Sequence, residues 1–108
     1  SGVSAELNYS SVKRVAGLEE YIQLKTIPGA TARNWNSYQS KVQLENAVDE
    51  TEAKLLLPDP QTNGGLLIAV DENAVNEVKE IFSAYGLQSF LEPIGRCVAK
   101  KEKVVYVK

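Results

Sequence analysis

The sequence predicts an α+β or α/β two-layer sandwich, a mixed four- to five-stranded sheet with helices packed on one face. Three observations lead there. Short alternating or wholly apolar runs mark strands, stretches with apolar residues at i, i+3, i+4 and i+7 mark helices, and the two kinds interleave along the chain. A length of 108 residues, 44% hydrophobic and 24% charged, suits one domain with a core of its own and no bias to disorder.

Residues 4–9 alternate, with Ala5, Leu7 and Tyr9 to one side and Glu6 and Asn8 to the other, which predicts a half-buried strand ended by Ser10-Ser11. From about Arg14 to Lys25, Val15, Leu18 and Ile22 share one helix face, and Gly17 weakens the first turn. Pro28-Gly29 marks a turn, after which Thr31 is placed to cap a short helix through Tyr38. A short strand over Val42 to Ala47 follows. The next helix, Asp49 to Leu57, opens on Asp49 and the acidic first turn Glu50 and Glu52, and Pro58 and Pro60 stop it. Leu66 to Val70 reads as a buried strand, too short for a helix and bounded by glycines and Asp71. Asp71 or Asn73 caps the clearest helix, which carries Ala74, Val78, Ile81, Phe82 and Tyr85 on one face and stops at Gly86. Ser89 to Ala99 is a strand broken at Pro93 to Gly95, and Val104 to Val107 is the last strand. Lys100-Lys101-Glu102-Lys103 between them reads as a charged hairpin tip.

Composition excludes several classes of chemistry. There is no histidine and a single cysteine, so no Ser-His or Cys-His pair and no Cys/His zinc site can form. Cys97, among Ile94, Val98 and Ala99, is expected to be a small core residue. Glu45, Asp49, Glu50 and Glu52 raise the question of a divalent ion, but solvated charges at a helix start account for them, and no metal ligand is assigned. A net charge of −2 gives no general attraction to nucleic acid or anionic lipid. Arg96 and Lys108 join the Lys100 to Lys103 turn in a small basic area, read as a solvated turn because no aromatic residues interleave with it. No apolar run is long enough to span a membrane and no leader-like segment opens the chain, so a cytoplasmic protein with no direct nucleic-acid or membrane partner is expected. The start at Ser1-Gly2, without Met, points to a piece of something longer.

Two polar stretches exceed what a simple core needs. One is Asp59-Pro60-Gln61-Thr62-Asn63-Gly64-Gly65, a turn-forming loop whose glycines can expose backbone N–H groups. It is not a phosphate-binding P-loop, because the glycines precede a strand rather than a helix and no Lys follows them. The other is the corner Thr31, Arg33, Asn34 beside Trp35, the sole tryptophan. Thr31, Arg33, Asn34, Asp59, Gln61, Thr62, Asn63, Gly64 and Gly65 are the candidate substrate-binding residues. Each stretch also has a bland reading, as a tight strand entry and as a solvated helix face.

Asp59-Pro60-Gln61-Thr62-Asn63-Gly64-Gly65-Leu66-Leu67-Ile68-Ala69-Val70 resembles the D-P-Q-T-S-G-G-L-L-I-A-V of selenophosphate synthetases (selenide, water dikinases), and Pro28-Gly29-Ala30-Thr31-Ala32-Arg33-Asn34 resembles their P-G-G-T-x-R-N. Ser1 to Ala5, the Pro93-Ile94-Gly95 turn and the final short strand also fit, so the resemblance spans the chain. It implies the C-terminal domain of that family, in the aminoimidazole ribonucleotide synthetase-related superfamily. It further implies a parent enzyme that makes selenophosphate from selenide and ATP with magnesium, releasing AMP and orthophosphate, as a homodimer. Selenophosphate then serves as the selenium donor for selenocysteine synthesis. The resemblance carries over no catalytic or metal-binding residue, because the family's reactive Cys or selenocysteine, its Lys and its aspartates lie in segments preceding Ser1. Residues 1–108 are then a single domain, inactive alone, whose partner is the N-terminal ATP-binding half. A noncatalytic binding or assembly module keeping the same fold is the alternative. Asn63 stands where the family has Ser, and Ala30 where it has Gly, a substitution that strains the backbone if positive φ is needed there.

Overall fold

The computed structural model describes residues 2–108. Four strands form one mixed sheet: β1 (Val3–Leu7), β2 (Val42–Leu44), β3 (Gly95–Ala99) and β4 (Val105–Val107), in the order β2-β4-β1-β3. β1 runs antiparallel to β3, with Glu6 opposite Arg96, and parallel to β4, with Glu6 opposite Tyr106; β2 and β4 are parallel. Four α-helices accompany the sheet: α1 (Leu18–Gln23), α2 (Gly29–Tyr38), α3 (Glu50–Leu56) and α4 (Val75–Ala84). The mixed four-stranded sheet with helices is the architecture the interleaved periodicities predict.

Strand pleat sorts the side chains into two faces. Leu7, Val42, Leu44, Val105 and Val107 gather on one face around buried Val48 and Ala53, so α3 covers that side through Ala53. Asp49 accepts from the Glu52 N–H at 3.0 Å and caps α3, as its sequence predicts. Glu6, Arg96, Tyr106 and Gln43 form a polar row across the other face.

Several expectations change. Leu66 to Val70 is not a strand; it is irregular and solvent-facing, with Leu66 88% and Leu67 83% exposed. An apolar run becomes a strand only when a neighbouring edge meets its backbone groups, and neither edge strand, β2 or β3, takes this one up. The helix expected from Arg14 begins only at Leu18, because Gly17 sits in the left-handed region at φ 82° and leaves Val15 outside the helix and exposed. Thr31 does not cap α2: the helix starts at Gly29 after Pro28, and Thr31 is buried within its first turn. The strand from Val42 ends at Leu44, and the one from Ser89 shrinks to Gly95–Ala99 after a 3-10 turn at Gln88–Phe90.

β3 and β4 make no hairpin, since β1 lies between them. The connection from Lys100 to Val104 instead passes over the start of β1. There the Ser4 hydroxyl donates to the Lys103 carbonyl at 2.7 Å and accepts from the Lys101 N–H at 2.9 Å, and Ser4 is buried. Cys97 is exposed rather than buried, because β3 is an edge strand whose side toward α3 is left uncovered. Gly86 does stop α4: at φ 77° it donates to Ser83 O while Leu87 donates to Phe82 O, the paired bonds of a Schellman end. Asp71 accepts from the Asn73 N–H at 2.9 Å and opens the 3-10 turn ahead of that helix.

Candidate functional site

The two polar stretches, 24 residues apart at their point of contact, are brought together by one side chain. Asn34 on α2 donates from Nδ2 to the Pro58 carbonyl at 2.9 Å. Pro58 follows α3, where a proline leaves its carbonyl free of a continuing helix and open to a side-chain donor. Packing of α2 against α3 therefore fixes the corner at Thr31 to Asn34 beside the entry to the loop at Asp59 to Gly65.

Within the corner the roles diverge. Thr31 is 1% exposed and its Oγ1 has no partner among the described residues, so it packs rather than faces solvent. Arg33 points to solvent and forms no ion pair among the described residues. Trp35 is half-buried, with Lys54 Nζ 5.6 Å from its ring centre, and Lys54 in turn pairs with Glu50 at 2.5 Å. These groups border a concavity of about 420 Å³ between α2, β2 and α3. Its Lys54 edge had no motif to flag it in the sequence; only the i, i+4 pairing with Glu50 hinted at its placement. Ala30 is unstrained, because the segment is helical and Lys25 is the one described non-glycine residue with positive φ.

The loop is open. Asp59, Gln61, Thr62, Asn63, Gly64 and Gly65 are exposed or nearly so, and Gln61 N–H donates to the Asp59 carbonyl at 2.8 Å. Neither Gly64 nor Gly65 has positive φ. A Cβ at Gly64 would meet only the tip of the exposed Gln61 side chain, at 2.9 Å, which can swing aside, so space does not demand glycine there. Three of the four carboxylates between Glu45 and Glu52 take structural roles. Asp49 caps α3, Glu50 pairs with Lys54, and Glu52 accepts from the Tyr9 hydroxyl at 2.7 Å and pairs with Arg14 at 2.6 Å. Burial first, then the bond to Glu52, push the Tyr9 hydroxyl up to about 12. Among the described residues no three Asp, Glu or Cys side chains stand together as a metal site.

The polar sheet face holds a cluster that alternation alone had sent to solvent. Glu6, 8% exposed, receives Lys101 Nζ on Oε1 at 2.6 Å and both Arg96 and Lys108 on Oε2, at 2.9 and 3.0 Å. Hydrogen bonds from Lys101, Lys108 and Arg96, in that order, hold its carboxyl down at about 2.

Comparison with known proteins places these features in a family. The sequence model described as "AIR synthase related protein, C-terminal domain" matches residues 1–108. Selenide, water dikinase of Pseudomonas putida is 39% identical over 107 residues, covering 99% of this chain and 29% of that protein. The enzyme of the same name from Pasteurella multocida is 41% identical over 101 residues, covering 94% and 27%, and that from Escherichia coli K12 is 41% identical over 98 residues, covering 91% and 26%. The chain thus spans under a third of the length of these relatives. With a match over its whole length and a mixed α+β sheet, the chain belongs to the AIR synthase related protein, C-terminal domain family.

Proposed function

We propose that this chain serves as the C-terminal domain of a selenide, water dikinase, whose complete form makes selenophosphate from selenide and ATP with release of AMP and orthophosphate. The observation that carries the reading is identity of 39–41% to proteins of that name over nearly the whole of this chain. In this reading the domain is inactive alone and joins an ATP-binding N-terminal half in a cytoplasmic homodimer. The chain's own part is to shape one wall of a shared cleft, with Arg33 and the Asp59 to Gly65 loop turned outward and Asn34 holding corner and loop in register through Pro58. In this reading magnesium and the reacting groups belong to the other half.

Alanine at Thr62 and at Asn34 in the full-length enzyme tests the placement. Thr62→Ala is expected to lower selenophosphate formation about tenfold with folding intact, and Asn34→Ala to do so while also loosening the loop. Wild-type turnover in both, with unchanged thermal stability, sinks the cleft assignment. Calorimetric titration with Mg-ATP separates the larger claim: binding only when the ATP-binding half is added is expected, and tight binding to the 108-residue chain alone overturns it.

A further inference from the structure

We infer that the polar sheet face around Glu6 is a binding site for a phosphate dianion, either free or as the terminal group of a phosphomonoester. Glu6 is the floor of the site and its organiser. Its two oxygens are fully engaged by Lys101, Arg96 and Lys108, which leaves one negative charge under three positive ones. Arg96 and Lys108 meet on the same oxygen, at 2.9 and 3.0 Å, so they stand no more than about 6 Å apart. The cations outnumber the Glu6 carboxylate, and an anion approaching Arg96 and Lys108 relieves the repulsion between them that Glu6 alone neutralises only in part.

The donors to receive it are present. Arg96 spends Nε–H and one Nη2–H on Glu6, which leaves the rest of its five-donor fork free, and its side chain is 74% exposed. Lys108 is 46% exposed and keeps two of its three ammonium hydrogens. These groups, with Asn8 and the Pro93–Gly95 turn, border a concavity of about 280 Å³. Its floor is rigid, because Asn8 N–H donates to the Ile94 carbonyl at 2.8 Å and Gly95 lies so close to β1 that a Cβ would clash with the Glu6 carbonyl. On the far side Lys101 lies over the Tyr106 ring at 4.9 Å and is held away from the opening. The site shares no residue with the corner or loop described above, so it stands or falls apart from the proposed function.

Nitrogen-15 NMR of the 108-residue chain at fixed ionic strength provides the test, following the Arg96 Nε–H and the Asn8 and Gly95 amides. Inorganic phosphate and phenyl phosphate are titrated beside dimethyl phosphate, a singly charged diester, and chloride. Saturable shifts with the first two, at least fivefold weaker with dimethyl phosphate, are expected, and Arg96→Gln and Lys108→Gln each weaken phosphate binding at least fivefold. Lys79→Gln, outside the cluster, leaves it unchanged. Binding of inorganic but not phenyl phosphate assigns a free ion; comparable binding of both assigns a monoester terminus. Shifts that track ionic strength, equal affinity for dimethyl phosphate, or saturable binding that survives both Gln variants overturns the inference.

Discussion

Single side chains set the pH response of this domain, and Glu6 is the clearest case. Its carboxyl is held at about 2 against an ordinary 4.5, so in that interval the unfolded chain binds the proton that the folded chain refuses. The stabilisation is therefore complete above pH 4.5 and lost as pH falls toward 2. Glu6→Gln, which keeps the shape and removes the charge, is expected to lie well below wild type in urea midpoint at pH 6 and to converge on it by pH 2. Parallel curves across that range would show that the three cations do not act through Glu6. Residue type and alternation placed Glu6 on the correct face, but nothing local said that a connection 95 residues away would lay Lys101 across it.

Among the elements, β3 depends on one position. Gly95 pairs opposite Leu7, and the space a methyl group would need is already filled by the Glu6 backbone. Gly95→Ala should cost about 3 kcal/mol through forced separation of β1 and β3, visible as a fall on the order of 10–20 °C in the thermal midpoint. Gly65, with open space around it, tolerates the same change. Elements defined by their own residues were legible in the sequence: the α3 cap at Asp49 and the end of α4 at Gly86 stand where local chemistry puts them, and β1 forms with Ala5 and Leu7 on one face, although it ends before Tyr9 and its buried residues are the polar Ser4 and Glu6. Elements that need a distant partner were not. Leu66 to Val70 has the composition of a strand but pairs with neither edge, β2 or β3, and the Lys100 to Lys103 turn has the look of a hairpin while β1 separates its strands. The candidate site divides the same way, since both motifs were visible but the Asn34 to Pro58 link between them depends on how α2 packs against α3.

At the scale of the whole molecule the domain is under-covered. Its accessible surface is 8275 Å², where a self-contained globule of 11.8 kDa shows about 5,900 Å². The radius of gyration, 15.2 Å, likewise exceeds the roughly 13 Å of a compact chain of this size. The excess includes Leu66, Leu67, Ile68, Ile81, Tyr85 and Phe90, apolar side chains that a further surface would shield. That demand fits the proposed reading, in which a larger enzyme supplies the cover.

The placement of the outermost strands in sequence at the middle of the sheet governs how the domain bears load. β1 and β4 are parallel neighbours, so tension applied at Gly2 and Lys108 pulls along both strands and strains their hydrogen bonds together, in shear. Val3 and Ala99, by contrast, face one another across β1 and β3, and tension there opens bonds one after another. Single-molecule pulling should therefore show a markedly higher rupture force with handles at 2 and 108 than at 3 and 99, and equal forces would contradict the strand order. Loaded through its first and last strands, the domain is by this arrangement a mechanical clamp, resistant along the direction of those strands.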